Sequence, residues 1–583
     1  MIIILLLAIS DVFLRRRPFI IRIMSNSANY FSRPSWRHIL IWLFLVSLLA
    51  GCAGSANRDG ASPVANQLMA EIALQRGQYL VAVQEYLILA EQSDDPEYAR
   101  RATELAYEYD FIVHALTAAE RWVLLQPDDR AAHAYLGRLY VRRNWPEEGF
   151  ESLDFSLGPV AERTDRDYFL LSAELAELSA PSRGLLVFGL FNEKYPGSAA
   201  INGSLATLAA ASGERVLAVD AGREALLLAP ESLFARVSLA RYLLAAGEQS
   251  SAFEQMAFAL EMNPGLEMEA EFVRLLALAG EQEDAIERLE RLFSRYPTEP
   301  ELYRLRGSLA LQWGDDEAAV VDFSYLLAEA YYVGECFWHL GQLAYRQEEY
   351  LQAIRYFQRV GEGPWKTSAV NATSRAYLEL GDANTALAVQ REYLSQHPQR
   401  VISQAIMRAE ILATAGQFVE AIETIDSALE FDPWDERFWM YRGALLEQSG
   451  DIDGAVHSFR EAVKLAPADP NALNALGYTL AVGGRDYDEA FELIDKALDL
   501  QPDNPAIMDS MGWVLYLQGN EAAARGWLEQ AYALLPDPEI AAHLGELMWV
   551  QGEEAAARLV WSEALEQYPE NAVLNETTGR FIK

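Results

Sequence analysis

Apolar and polar positions follow a helical spacing along most of this chain, and the pattern repeats about every 34 residues. The clearest copies lie within 436–571 and read RFWMYRGALLEQSGDIDGAVHSFREAVKLAPADP and AIMDSMGWVLYLQGNEAAARGWLEQAYALLPDP. Each copy holds two apolar helical stretches joined by a turn at Gly450 or Gly519, which predicts a helical hairpin. A Gly in the first stretch and an Ala twelve positions later predict the point where the two helices cross closely.

A small residue recurs at that second crossing position along the whole array. The positions are Ala82, Ala115, Gly149, Gly184, Ala218, Ala252, Ala285, Ala319, Ala353, Ala386, Ala421, Ala455, Ala490, Ala524 and Ala557. Most copies also close on a Pro, which cannot continue a helix. One hairpin cannot bury its apolar face alone, so the copies must stack on their neighbours. We predict an all-α solenoid of about 15 hairpins over 63–571, followed by a cap or tail at 572–583.

The Leu-Gly, Tyr, Ala, Phe, Ala and Pro positions of these copies resemble the tetratricopeptide repeat. In that family the copies wind into a superhelix, and the first helix of each hairpin lines the concave face. The resemblance implies that inward-facing positions bind partner proteins. In the last three copies these positions are Asn474, Tyr478, Asp509, Trp513, Tyr516, Glu546 and Trp549. The alternative is that Trp513 and Trp549 pack against the next hairpin.

Some segments depart from the pattern. Trp145-Pro146 and Ala180-Pro181 interrupt the turns of the third and fourth hairpins, and 331–334 and 360–365 replace the Pro of the middle copies. The middle segments predict variant turns that change the local bend of the superhelix. The alternative is a hinge or a contact with a partner.

The N-terminal segment predicts a lipoprotein. A twelve-residue apolar run, too short to span a bilayer, follows basic residues and ends in Leu49-Ala50-Gly51-Cys52, which resembles the bacterial lipobox. We therefore expect residues 1–51 to be a signal peptide, Cys52 to carry lipid, and residues 52–62 to be a tether. A leader of ordinary length would begin at Met24. Because Ala53 follows the Cys, the resemblance implies the outer membrane, with the chain facing the periplasm.

The chain is strongly acidic, with a formal net charge of −38. Removal of 1–51 takes away six Arg and one Asp and leaves −43. This charge argues against nucleic-acid binding, because phosphates would be repelled. It indicates a hydrated surface or a basic protein partner.

No pattern typical of an enzyme is present. The seven His residues contain no pair spaced for a helical zinc site, and no nucleotide-binding or nucleophile-elbow motif occurs. With Cys52 acylated, Cys336 has no partner and is expected to be a small buried apolar residue. We therefore expect no catalytic residues, no metal and no cofactor.

A lipoprotein built almost wholly of such repeats, with the runs NALGYTL, DSMGWVLY and LLPDPEIAAHLGELMW, resembles the adaptors of periplasmic carboxyl-terminal processing proteases. That resemblance implies a scaffold that binds the protease and its substrates, which are cell-wall hydrolases, and promotes their degradation. One alternative is a scaffold for envelope assembly or exopolysaccharide export. Another is a cytoplasmic assembly scaffold, which would require the lipobox to be spurious.

Overall fold

The structure, a computed structural model, describes residues 62–178 and 180–582. Cys52 and the predicted signal sequence lie outside this part of the chain. Asn66–Lys583 form one compact unit, and only residues 62–65 of the preceding unit, Met1–Ala65, are described. Within the described residues no helix has both the length and the apolar character needed to cross a membrane.

The described residues form 31 α-helices and no strands. The helices are α1 (Pro63–Gln75), α2 (Tyr79–Gln92), α3 (Pro96–Glu108), α4 (Ile112–Leu125), α5 (Arg130–Arg142), α6 (Pro146–Ser156), α7 (Asp165–Ala176), α8 (Pro181–Lys194), α9 (Ala199–Ala211), α10 (Arg215–Leu228), α11 (Leu233–Ala245), α12 (Gln249–Met262), α13 (Leu266–Leu278), α14 (Gln282–Arg295), α15 (Pro300–Trp313), α16 (Asp316–Ala328), α17 (Val333–Arg346), α18 (Tyr350–Phe357), α19 (Lys366–Glu379), α20 (Ala383–Gln396), α21 (Ala405–Thr414), α22 (Phe418–Phe431), α23 (Glu436–Gln448), α24 (Ile452–Leu465), α25 (Pro470–Val482), α26 (Tyr487–Leu500), α27 (Pro505–Leu517), α28 (Glu521–Leu534), α29 (Pro538–Val550), α30 (Glu554–Gln567) and α31 (Ala572–Phe581).

The first thirty helices pair in sequence order into fifteen hairpins, and each hairpin packs on the next. This confirms the predicted fold class and the number of hairpins. Each of the fifteen small residues that define the register lies in the second helix of its hairpin and is buried. The core is consequently a continuous line of side chains along the array, as a solenoid requires.

Close helix crossings explain the Gly positions of the repeat. A Cβ added at Gly443 would lie 2.5 Å from Phe459 Cε1, and one added at Gly512 would lie 2.6 Å from Leu528 Cγ. The large side chain of each second helix thus rests directly on the backbone of the first helix. Gly450 and Gly519 adopt φ values of 88° and 82° in the turns between the helices, a backbone region that side chains disfavour.

Two irregular regions have simple local explanations. Pro146 and Pro181 are the first residues of α6 and α8, where a missing N–H costs no helical hydrogen bond. In the ninth hairpin α18 has only eight residues, and the chain leaves it through a loop in which Val360 is buried. Trp365 closes that loop by stacking on Trp338, with ring centroids 5.9 Å apart. The loop thus packs on its own hairpin.

The last helix, α31, covers the end of the array. Its Leu574 is fully buried, and the Phe581 ring lies 5.9 Å from both Trp549 and Trp561. The otherwise unpaired face of the final hairpin is therefore shielded from solvent, as the terminal repeat of a solenoid requires.

Candidate functional site: an acidic cavity on the first helices

The first helices of the last four hairpins, α23, α25, α27 and α29, together with the loop 535–537, line an open cavity of about 280 Å³. We call it the C-terminal cavity. Its lining residues are Glu447, Asn474, Ala475, Tyr478, Thr479, Ala506, Asp509, Ser510, Leu535, Asp537, Glu539 and Ile540. This volume is below the range of about 300–1,000 Å³ typical of pockets for drug-sized ligands. The cavity therefore fits a protein side chain better than a large cofactor.

The cavity is acidic. Four of its lining residues are carboxylates, namely Glu447, Asp509, Asp537 and Glu539, and none is Lys or Arg. Burial raises the pKa of Glu447 above its usual value, and the charge of Glu539 adds to the rise. The Thr479 hydroxyl opposes that rise by donating to Glu447 Oε1 over 2.8 Å. A cation that enters the cavity would relieve this crowding of negative charge.

Asp509, His543 and Trp513 form one connected unit beside the cavity. The His543 Nδ1 lies 2.9 and 3.0 Å from the two carboxylate oxygens of Asp509. The His543 ring stacks on Trp513, with centroids 4.0 Å apart. Burial opposes protonation of His543, but the charge and hydrogen bond of Asp509, with Glu539 and Glu546 nearby, raise its pKa above the usual value. Asp509 is thereby fixed in position by the His543 imidazole.

Asn474 and Tyr478, one turn apart on α25, also line the cavity, and the Tyr478 ring lies 6.2 Å from the His543 ring. Asn474 Oδ1 is buried and has no hydrogen-bond partner among the described residues. Burial raises the pKa of Tyr478, and the charges of Asp509, Glu539 and Glu447 raise it further. Both side chains therefore hold hydrogen-bonding groups beside the carboxylates, where a bound N–H group would find acceptors.

The other predicted positions lie farther along the array. Tyr516 contacts Trp513, with centroids 5.1 Å apart. Glu546 accepts a hydrogen bond from Arg580 of α31 over 3.0 Å. Trp549 stacks on Trp561 and packs against Phe581 in a tilted geometry. The structure thus brings Asn474, Tyr478 and Asp509 together in the cavity and places Glu546 and Trp549 under α31.

Glu447, Glu539 and His543 belong to the site but were absent from the sequence prediction. Glu447 and Glu539 occupy inward-facing positions of the repeat, four residues after Gly443 and six residues before Gly545. Extending the count by one copy would have found Glu447, whereas Glu539 lies in the last copy, which was already counted, six residues before its Gly. His543 lies next to an inward position and reaches Asp509 across a hairpin boundary, which the spacing does not show.

Cys336 is fully buried, as predicted. Burial raises the pKa of its thiol to about 12, and the charge of Glu335 adds to the rise, so the thiol is a poor nucleophile. In the described part of the chain no three His, Cys, Asp or Glu side chains are grouped in a way that could hold a metal ion.

Comparison with known proteins identifies a known repeat in the hairpins that line this cavity. A tetratricopeptide-repeat family profile matches residues 442–505 and 479–539, which contain α25 and α27 in full. Residues 442–539 therefore match the tetratricopeptide repeat, and the other hairpins share its helical-hairpin form. A TPR repeat-containing protein of Pseudomonas aeruginosa is 30% identical over 204 residues, which is 35% of each chain. Protein O-mannosyl-transferase TMTC1 of Homo sapiens is 24% identical over 206 residues, 35% of this chain and 23% of its own.

This chain therefore spans about a third or less of the length of these curated relatives. The crystal structure of the APC/C hetero-tetramer Cut9–Hcn1 aligns with 90% of this chain and 97% of its own, at 15% identity and a TM-score of 0.34. The repeat assignment rests on the profile match and on the hairpins themselves.

Proposed function

We propose that this protein is a lipid-anchored scaffold of the bacterial outer membrane that binds other proteins on the periplasmic side. Solenoids of tetratricopeptide repeats serve as protein-interaction scaffolds, and the fold is typically non-enzymatic. The membrane part of the proposal rests on the lipobox at Leu49-Ala50-Gly51-Cys52.

The C-terminal cavity is the observation that carries the binding proposal. Four carboxylates, two amide or phenol groups and apolar walls converge there from four successive hairpins. This combination suits a Lys or Arg side chain whose stem lies on apolar surface while its charged group meets the acids. We infer that the partner inserts a basic side chain from an extended or loop segment.

The finer proposal is an adaptor for a carboxyl-terminal processing protease. In this account the array holds the protease and a cell-wall hydrolase together, which raises the effective concentration of each for the other to as much as about millimolar. Cell-wall hydrolases are often basic, and the formal charge of −43 after residue 51 would attract them. The support is the sequence resemblance together with the acidity of the chain.

Affinity purification of the tagged lipoprotein from cell envelopes tests this function. We expect a processing protease and wall hydrolases to co-purify with the wild type and to be depleted with Glu447→Gln/Glu539→Gln. The matched control, Glu563→Gln/Glu566→Gln, removes the same charge from exposed positions on α30. Absence of both enzyme classes from the wild-type sample would refute the adaptor role.

Labelling with a palmitate analogue tests the anchor separately. The wild type should take up label and Cys52→Ala should not. If both label equally, Cys52 is not the lipidation site.

A further inference from the structure

Two parts of the solenoid that lie almost 300 residues apart in sequence meet in space. One is the edge of hairpins two to four, which carries Arg142 and Arg183. The other is the segment 431–436, which joins hairpins eleven and twelve. Repeat arrays are normally held by contacts between neighbours, so this contact is additional to the stacking that builds the solenoid.

Two arginines make the contact. Arg142 Nε donates to Asp432 Oδ2 over 2.9 Å, and Arg142 Nη2 lies 2.6 Å from the same oxygen. Arg183 Nη1 donates to the backbone oxygens of Arg142 over 2.7 Å and of Trp434 over 3.0 Å. Arg183 Nη2 donates to Glu436 Oε2 over 3.0 Å. Each arginine therefore ties an early hairpin to the same late segment.

Aromatic side chains flank these ion pairs. The rings of Phe111 and Phe431 lie 4.8 Å apart across the contact. The Arg143 guanidinium lies 3.5 Å from the centre of the Trp145 ring and 5.2 Å from that of Trp434. The contact therefore combines ion pairs with aromatic packing at its edge, unlike an isolated salt bridge on the surface.

The ion pairs are withdrawn from water. Asp432 is fully buried, and Arg183 and Glu436 are 3% and 5% exposed. Burial lowers the pKa of Arg183 although Glu436 opposes this, and burial raises the pKa of Asp432 although Arg142 opposes it. The buried Arg183 Nε has no hydrogen-bond partner among the described residues. Such an arrangement adds little net stability while it is complete, but losing one partner leaves the other charge buried and unpaired.

We propose that Arg142, Arg183, Asp432 and Glu436 form a clasp that closes the solenoid on itself within the unit Asn66–Lys583. Hairpin stacking makes the array, and the clasp fixes the distance between its early and late hairpins. The clasp also holds Glu436, the first residue of α23, the helix that carries Glu447 to the C-terminal cavity. The clasp itself does not depend on the proposed function.

Small-angle X-ray scattering of the purified chain tests the clasp directly. Arg142→Glu should increase the radius of gyration and the maximum dimension while helicity by circular dichroism is unchanged. The charge swap Arg142→Glu/Asp432→Arg should restore the wild-type shape. The control, Arg375→Glu, reverses the same charge in an exposed pair with Glu410 between neighbouring hairpins and should leave the shape unchanged.

A milder variant keeps the test decisive if Arg142→Glu fails to fold. Arg183→Gln removes the charge without reversing it, and amide exchange at 432–438 should then accelerate by at least about a hundredfold. A folded Arg142→Glu or Arg183→Gln with wild-type scattering and wild-type exchange at 432–438 would overturn the proposal.

Discussion

Replacing Gly512 with Ala adds one methyl group where α27 crosses α28. The new Cβ would lie 2.6 Å from Leu528 Cγ, 2.9 Å from Leu528 Cδ2 and 3.2 Å from the backbone oxygen of Ala524. Leu528 is fully buried and the Ala524 oxygen belongs to a helix backbone, so the hairpin must open slightly. Overpacking of this kind costs about 3 kcal/mol at the upper end of its usual range.

Helix propensity acts in the opposite direction, because Ala favours a helix interior over Gly by about 1 kcal/mol. The net expectation for Gly512→Ala is a loss of about 2 kcal/mol in the local free energy of unfolding. Gly526 in α28 provides the control, since a Cβ there meets nothing within 4 Å. Gly526→Ala should therefore stabilise the same hairpin by about 1 kcal/mol.

Hydrogen exchange read by mass spectrometry on 505–534 is the suitable assay, because repeat arrays unfold in parts and a single melting temperature would average them. A difference of about 3 kcal/mol corresponds to exchange in this hairpin that is more than a hundredfold faster in Gly512→Ala than in Gly526→Ala. If Gly512→Ala slows exchange as Gly526→Ala does, the close crossing described here is wrong.

Two further predictions concern the last hairpins. Because Asp509 raises the pKa of His543, the stability from this pair is complete below about pH 6.5, the usual His pKa, and is lost as the pH rises through the higher folded pKa. Exchange in 505–550, corrected for the intrinsic pH dependence of amide exchange, should thus accelerate above pH 6.5 in the wild type, and Asp509→Asn should lack this acceleration; equal corrected pH profiles would contradict the pairing. Phe581→Ala should destabilise the final hairpin by about 2 kcal/mol through lost ring packing, whereas Val573→Ala, at an exposed position, should change it by less than about 0.5 kcal/mol. Equal exchange in these two variants would argue against a capping role for α31.

The repeating part of this fold could be predicted from sequence because its contacts are local and periodic. Every clear copy has a Gly at the position of Gly512 and an Ala at the position of Ala524. The spacing of these two residues alone therefore indicates the hairpin and the point where its helices cross. The same register found Asn474, Tyr478 and Asp509, includes Glu539 at another inward position of the last copy, and reaches Glu447 when it is extended by one copy.

Contacts outside the repeat period could not be predicted in this way. Arg142 and Asp432 meet across 290 residues, and neither occupies a position that the repeat makes special. Their contact depends on the accumulated bend of the intervening hairpins, which no local pattern specifies. The packing of Phe581 on Trp549 and Trp561 is likewise particular to the last hairpin, where no further copy follows.

Fluorescence anisotropy with a labelled Lys-rich peptide tests most directly whether the C-terminal cavity binds a cationic side chain. The wild type should bind at pH 7 and bind more weakly at pH 5, because burial and neighbouring acids raise the pKa of Glu447 and Glu539. Glu447→Gln/Glu539→Gln should weaken binding at least about tenfold, and Glu563→Gln/Glu566→Gln less than about twofold. Equal weakening in the two double variants would show that the peptide senses only net charge, and would contradict the cavity as the binding site.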